Sequence, residues 1–337
     1  MDRKFLLRPF TLEDTIHVVE LINADSLQTL GYPRAVVDGV GNLRMARYIP
    51  PSSEKVVVVN SKNEEVIGFA CLADKENSIV AEVSGAIHPA YWGQGIGGSI
   101  LNWAEERAKE LSAGATEGVR TVVQANLFEA ELRAIKLFAD SGYEKVREWV
   151  HMEINLDGQF STPALPDNMT LREMDLDNDW DIVGPALDEA FADHWGTIPQ
   201  GAVKEVEEDE TDEEESPSDE SFSNAAGHCF IVLDGEKVAG GILCNAKLVE
   251  RNDTGRVGSV FVCPEYRKRG LGQILMNTAF NAFFLKGIHR IILDTDTQSF
   301  TQAPKFYLNL GMRPYRHEFL YEKEIRFGRE VHRLTPS

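Results

Sequence analysis

Cysteine is scarce in this chain: four in 337 residues, at Cys71, Cys229, Cys244 and Cys263, with no C-x-x-C among them. Those spacings support neither a disulfide framework nor a zinc site, so the thiols are expected to be reduced and mostly buried, as in a cytoplasmic protein. Long hydrophobic runs are missing as well. No apolar stretch approaches the roughly 20 residues of a membrane-spanning helix. The opening Met1-Asp2-Arg3-Lys4-Phe5-Leu6-Leu7-Arg8 lacks the apolar core of a secretion signal. Positive charge is in the minority, with 34 Lys and Arg against 54 Asp and Glu and a formal net charge of −20. Such a surface repels phosphate backbones, which excludes nucleic acid as a natural partner, and nothing in the chain calls for a membrane.

The hydrophobic fraction, 43%, is enough for real cores, and 337 residues suit two domains better than one. The acidity is uneven. Between positions 205 and 220, Asp and Glu dominate and almost no apolar residue is present. Self-repulsion and missing hydrophobicity predict a solvated acidic loop over 204–222. It reads as a tolerated insertion or as a flap attracting a cationic substrate.

The chain repeats itself. Leu7-Arg8-Pro9-Phe10-Thr11-Leu12-Glu13-Asp14 echoes Leu171-Arg172-Glu173-Met174-Asp175-Leu176-Asp177-Asn178. His88-Pro89-Ala90-Tyr91-Trp92-Gly93-Gln94-Gly95-Ile96-Gly97 echoes Cys263-Pro264-Glu265-Tyr266-Arg267-Lys268-Arg269-Gly270-Leu271-Gly272. Ala134 to Tyr143 echoes Ala303 to Met312. Three blocks in one order define two copies, 1–157 and 168–337, joined where Gly158, Pro163 and Pro166 break regular structure.

Each copy reads as the same string of elements. In the second, strands are expected at 169–172, 228–233, 237–246, 256–262, 290–293 and 317–325. Helical spacing covers 180–191, runs from Leu271 to Lys286-Gly287, and resumes after Pro304, which a first helical turn accepts. Asp234-Gly235 marks a hairpin turn. The first copy places strands at 56–59, 66–72, 79–87 and 121–124 and helices at 97–111 and 131–139. The fold class is α/β (α+β): two tandem domains, each a mixed, mostly antiparallel sheet flanked by helices.

Arg267-x-x-Gly270-x-Gly272 follows a strand and opens a helix. Small residues there let successive N–H groups point into one concavity, and the helix N-terminus adds partial positive charge, which together suit a pyrophosphate. Arg267, Lys268 and Arg269 add cations. The preceding strands form a hairpin meander, which disfavours a dinucleotide-binding dehydrogenase fold.

Val260-Phe261-Val262-x-Pro264-x-Tyr266-Arg267-x-x-Gly270-Leu271-Gly272 resembles the acetyl-CoA motif of the GNAT superfamily of N-acetyltransferases. Ala303-x-x-Phe306-Tyr307-x-x-x-Gly311-Met312 resembles its second signature. Both halves carry the likeness, so it spans nearly the whole chain as a tandem pair. The resemblance implies acetyl-CoA as cosubstrate, a small-molecule amine as acceptor and no metal. It implies that Val260, Phe261 and Val262 pair with the pantetheine arm. The N–H groups of Arg267, Lys268, Arg269, Gly270, Leu271, Gly272 and Gln273 then hold the diphosphate, with Ala303 and Tyr307 alongside. Tyr307 becomes the proton donor to the leaving thiolate, since a phenol of ordinary pKa about 10 can protonate it.

Two positions depart from the family pattern. Arg256 stands where a glutamate is usual, and Phe300 where an asparagine is usual. His194, Asp294 and Glu265 therefore stay open as base candidates, with His194 also a candidate acceptor contact. Cys263 has no histidine beside it in sequence, and direct transfer needs no nucleophile. In the first copy Trp92 replaces Arg267 and Phe138 replaces Tyr307, while Gly93, Gln94, Gly95, Ile96, Gly97 and Gly98 keep the cradle. That copy either binds acetyl-CoA without turnover or serves as scaffold. The expected function is acetyl transfer from acetyl-CoA to a primary amine of a cationic small molecule, by the second copy. The alternatives are a non-catalytic acyl-CoA-binding or regulatory protein, and an interaction module built on the acidic loop. A monomer and a homodimer are both compatible.

Overall fold

The structure is a computed structural model that describes residues 4–37, 43–45, 53–75, 78–198, 228–245 and 253–331. The acidic segment lies outside the described residues.

Two compact units divide the chain. In unit 1, β1 (Phe5–Pro9) leads to α1 (Thr15–Thr29), then to the small pair β2 (Ala35–Val37) and β3 (Leu43–Met45). β4 (Glu54–Asn60), β5 (Val66–Lys75) and β6 (Val80–Ile87) follow as a meander. α2 (Ile96–Leu111), β7 (Thr121–Phe128) and α3 (Leu132–Asp140) complete the order. β1 pairs antiparallel with β4, and β6 pairs parallel with β7.

β8 (Glu144–Asn155) leaves unit 1, and from Trp149 it belongs to unit 2. There follow β9 (Met169–Glu173), α4 (Trp180–Phe191), β10 (Phe230–Asp234), β11 (Lys237–Asn245) and β12 (Thr254–Val262). α5 (Leu271–Leu285), β13 (Arg290–Asp296), α6 (Ala303–Asn309) and β14 (Arg313–Arg326) end the series. β9, β10, β11 and β12 are joined antiparallel, β12 and β13 parallel, and β13 and β8 antiparallel.

The units are not the sequence repeats. Unit 1 takes His317–Val331, so β14 pairs antiparallel with β7. Unit 2 takes Trp149–Thr197, so β8 pairs with β13. Each repeat thus gives its last strand to the other unit. The apolar alternation explains the fit. Val150, Met152 and Ile154 are buried in the unit 2 core with Ile291, Leu293 and Tyr307. Tyr321 is buried in a unit 1 cluster with Val123, Ala125 and Phe138, with Phe319 and Ile325 packed against it. Strand residues two apart share a face, so each strand offers one apolar row to its host.

The repeat is also written in ion pairs. Arg8 donates through Nη1 and Nη2 to Asp14 at 2.7 Å each. Arg172 does the same to Asp179 at 2.6 and 2.7 Å. Each pair ties the first strand of its copy to the turn before the first helix. The sequence echo sets Asp14 against Asn178; the geometry makes Asp179 the counterpart.

Among the described residues no helix is long and apolar enough to cross a membrane. All four cysteines are buried free thiols, and burial pushes each thiol above its ordinary pKa.

Candidate active site

The parallel ladder between β12 and β13 has three rungs, ending at Arg256↔Ile292. Both strands run on, to Val262 and Asp296, without pairing to each other, so a cleft opens between them. A bulge accompanies the split. β11 pairs Leu243 with Ser259 and Cys244 with Val257, leaving Gly258 as the extra residue. A bulge bends its strand and raises its twist, which carries β12 away from β13. Val260, Phe261 and Val262 lie on this stretch, whose far edge has no strand partner among the described residues. An extended amide chain can add itself to such an edge.

Unit 1 has the same fork, with its last rung at Glu82↔Gln124. Its β5–β6 ladder runs from Gly68↔Ile87 to Lys75↔Val80 with no bulge.

Beyond β12 the chain makes a turn at Pro264–Tyr266 and enters α5 through Gly270. Lys268 at φ +64° and Gly270 at φ +84° are both left-handed. A Cβ on Gly270 would meet nothing within 4 Å, so backbone conformation rather than space demands glycine there. The N–H groups of Lys268 through Gln273 find no acceptor among the described residues. They form a concave set of donors at a helix N-terminus, which fits a diphosphate. A Cβ on Gly272 would sit 3.3 Å from Phe306 Cζ, so this glycine lets α5 and α6 approach.

The three cations of the loop part company. Arg267 donates to Asp193 Oδ2 at 2.8 Å, to the Ala190 carbonyl at 2.9 Å and to the Val262 carbonyl at 3.3 Å. It therefore binds the end of α4 to the end of β12. Arg269 donates to the Glu265 carbonyl at 3.0 Å and lies over the Tyr266 ring. Among the described residues Lys268 has no side-chain partner. In unit 1, Trp92 donates through Nε1 to the Ile87 carbonyl at 2.8 Å, the bond that Arg267 Nε makes to Val262. Gly95 repeats the left-handed entry to α2 at φ +87°.

Tyr307 projects from α6 into the unit 2 core, 8% exposed. Its hydroxyl makes no hydrogen bond among the described residues. Burial, then the charge of Asp294, push the phenol well above its ordinary pKa. Asp294 is ion-paired with Arg256. Phe138, the counterpart in unit 1, packs edge-on against Tyr143 and has no proton to give.

His194 lies just past α4. Its Nδ1 is 3.1 Å from Asp193 Oδ1, and the ring packs against Phe191 and Phe300. Burial lowers its pKa, so the imidazole is neutral at pH 7. Trp195 stacks edge-on with Trp149. Glu265 is paired with Lys237. Cys263 is wholly buried beneath the loop. Among the described residues no three of His, Cys, Asp and Glu gather as a metal site.

Sequence reasoning missed two parts of this site. Asp193 was not seen as the partner of Arg267, because the two stand far apart in the chain. The bulge was not seen either, although Gly258 within a strand pattern is a recognised sign of one.

A forked parallel strand pair is followed by a loop of unpaired N–H groups, an arrangement whose shape and polarity suit an extended ligand that carries phosphates. The family model described as the acetyltransferase (GNAT) family matches residues 34–143 and 188–312. The chain belongs to that family and is an acetyltransferase with two GNAT regions in tandem. Curated relatives include the mycothiol acetyltransferase of Salinispora arenicola, 26% identical over 278 residues, covering 79% of this chain and 81% of that one. The mycothiol acetyltransferase of Thermobispora bispora is 25% identical over 307 residues, covering 89% and 95%. Among solved structures, a GCN5-related N-acetyltransferase from Sphaerobacter thermophilus superposes with a TM-score of 0.75 at 23% identity, covering 98% and 99% of the chains. A tandem GNAT protein from the clavulanic acid biosynthesis pathway gives 0.68 at 17% identity, covering 96% and 100%. At those identities the likeness speaks for the fold.

Proposed function

We propose that this protein transfers the acetyl group of acetyl-CoA to a primary amine of a cationic small molecule, and that unit 2 carries the chemistry. The observation that carries the reading is the bulged fork, the donor loop and Tyr307 meeting in unit 2. Acetyl-CoA would supply an activated thioester. The N–H groups of Lys268 through Gln273, with the Lys268 ammonium, would hold its diphosphate. The open edge from Val260 to Val262 would align the pantetheine arm and aim an N–H at the thioester carbonyl. Tyr307, its hydroxyl free of protein partners among the described residues, would hold its proton until a thiolate develops nearby.

Support for a cationic acceptor comes from the net charge of −20. His194, neutral beside Asp193, would contact the acceptor. Unit 1 keeps the fork and the left-handed glycine but lacks the bulge and the tyrosine. It would hold acetyl-CoA without turning it over, or act as scaffold.

The test is Tyr307→Phe. The expected result is a loss of about 100-fold in kcat, with acetyl-CoA affinity by calorimetry unchanged. An unchanged kcat would remove the proton-donor role. The same titration counts sites: a stoichiometry of two assigns binding to unit 1, and one assigns it a scaffold role. Arg256 in place of the usual glutamate favours one rival, a non-catalytic acyl-CoA-binding protein. That rival predicts tight binding and no acetylated product from any amine.

A further inference from the structure

Two side-chain bridges join the arms of the unit 2 fork. Near the last rung, Arg256 on β12 is ion-paired with Asp294 on β13. At the open end, the Arg267 guanidinium, just past β12, lies 5.8 Å from the ring centroid of Phe300, in the turn past β13. Phe300 is 54% exposed, yet its ring is held. It meets the His194 imidazole edge-on at 5.5 Å, and His194 meets Phe191 of α4 edge-on at 4.6 Å. Arg267 and His194 both contact Asp193, at 2.8 and 3.1 Å, so cation, carboxylate, imidazole and phenyl close a circle of contacts. Beside His194, Trp195 meets Trp149 of β8 edge-on. Unit 1 makes the same bridge with its partners exchanged. Trp92, the counterpart of Arg267, supplies the ring, and Arg133 in the first turn of α3 supplies the cation at 4.2 Å. The offset that sets Ala134 against Ala303 sets Glu131 against Phe300. Glu131 accepts from the Phe128 N–H at 2.7 Å, pairs with Arg34 at 3.4 Å and is 13% exposed. At this position unit 1 has an inward carboxylate, and unit 2 an outward ring.

We propose that Phe300 determines which acceptor unit 2 takes, and that the acceptor is a primary amine on an apolar carbon body, an arylalkylamine in preference to an aminosugar or a polyamine. This rests on the acetyltransferase reading above. A ring kept half in water forgoes much of the gain that burial gives a phenylalanine, and a ligand lying on it recovers that gain. Because His194 and Arg267 hold the ring, little side-chain freedom is lost when the ligand arrives. The apolar body lies against Phe300 and His194. The amino group extends into the gap between the two bridges, toward the open edge of β12. A sugar body would lose water from its hydroxyls there and meet rings in place of hydrogen-bond partners. A polyamine would bring a second ammonium toward the Arg267 guanidinium, a like charge. In unit 1, where Glu131 replaces the ring, this platform is missing.

The experiment measures CoA thiol release by the full-length protein with acetyl-CoA and three amines: phenethylamine, glucosamine and spermidine. kcat/KM for phenethylamine is expected to exceed the other two by about tenfold or more. Phe300→Ala should raise KM for phenethylamine about tenfold, with kcat and acetyl-CoA affinity little changed, because the contact is equal in ground and transition states. Phe300→Leu should recover part of the loss. Leu285→Ala, which removes an exposed side chain at the far end of α5, should leave the preference as it is. Binding is read apart from turnover: saturation-transfer NMR with CoA present should show transfer to the phenethylamine ring protons, lost in Phe300→Ala. A wild-type preference for glucosamine or spermidine overturns the proposal and leaves the acetyltransferase intact. So does a Phe300→Ala enzyme that keeps both KM and preference, or a Leu285→Ala enzyme that loses them equally. A protein that binds phenethylamine through Phe300 but acetylates none of the three overturns the acetyltransferase reading and not the contact. Neither binding nor turnover of any amine overturns both.

Discussion

Arg267 donates through Nη1 to Asp193 Oδ2 at 2.8 Å, and this contact fastens the turn after α4 to the loop that opens α5. A loop arginine that the sequence offers to a phosphate is thereby occupied in building the wall of the cleft. Both side chains are part-exposed, so the ion pair itself contributes modestly. The bond to the Ala190 carbonyl adds to it. Arg267→Ala is expected to lower the unfolding free energy by about 1–2 kcal/mol. Arg267→Lys should behave like the alanine variant, because an ammonium cannot serve Asp193, Ala190 and Val262 from one planar fork. Denaturant titration decides; a change below about 0.5 kcal/mol would show the tether to be idle.

Gly270 holds φ +84° in open space. Gly270→Ala is expected to cost about 1–2 kcal/mol of backbone strain. If the loop relaxes to escape it, acetyl-CoA affinity falls. Gly270→Asn should be milder, since asparagine tolerates this region. Calorimetry on the two variants gives the order, and an alanine variant binding as tightly as the asparagine one would contradict it.

Arg8 hydrogen bonds hold the Asp14 carboxyl down at about 2, against an ordinary 3.8. Between those values the unfolded chain binds the extra proton. The stability Asp14 contributes is therefore full above about pH 4 and drains as pH falls toward 2. Asp14→Asn should cost about 2 kcal/mol at pH 7 and close to nothing near pH 2. Parallel denaturant curves at the two pH values would show it, and an equal cost at both would refute the linkage.

Residues 1–157 and 168–337 each lack a strand that their unit requires. Val150, Met152 and Ile154 are buried in unit 2. Losing them would remove about 1.5–3 kcal/mol each, comparable in sum with the stability of a whole domain. The two fragments should be insoluble or unfolded when made apart and should fold when made together. Circular dichroism and size exclusion on each would check this, and a folded, monomeric 168–337 fragment would count against it.

Legibility followed range. The helix expected at 180–191 appears with those bounds, and the helix opening at Leu271 ends at Leu285, one residue before the expected stop. Helical periodicity and a left-handed glycine are properties of a few neighbouring residues, which a sequence displays directly. The strand at 144–155 was not marked as a separate element, and the one expected at 317–325 begins at Arg313. Their alternation says that one face is buried but not against what.

The sequence by itself determined the repeat, the helices at 180–191 and from Leu271, and the glycine that opens the donor loop, because each is set by local spacing or by a backbone angle that glycine adopts without strain. Only the tertiary structure decided where β8 and β14 go, because strand pairing joins residues far apart in the chain and an apolar row fits any sheet of the right width. It likewise decided that Arg267 faces Asp193 and that Arg256 on β12 pairs with Asp294 on β13. Charges that pair over such separations carry no mark in the sequence until the fold brings them together.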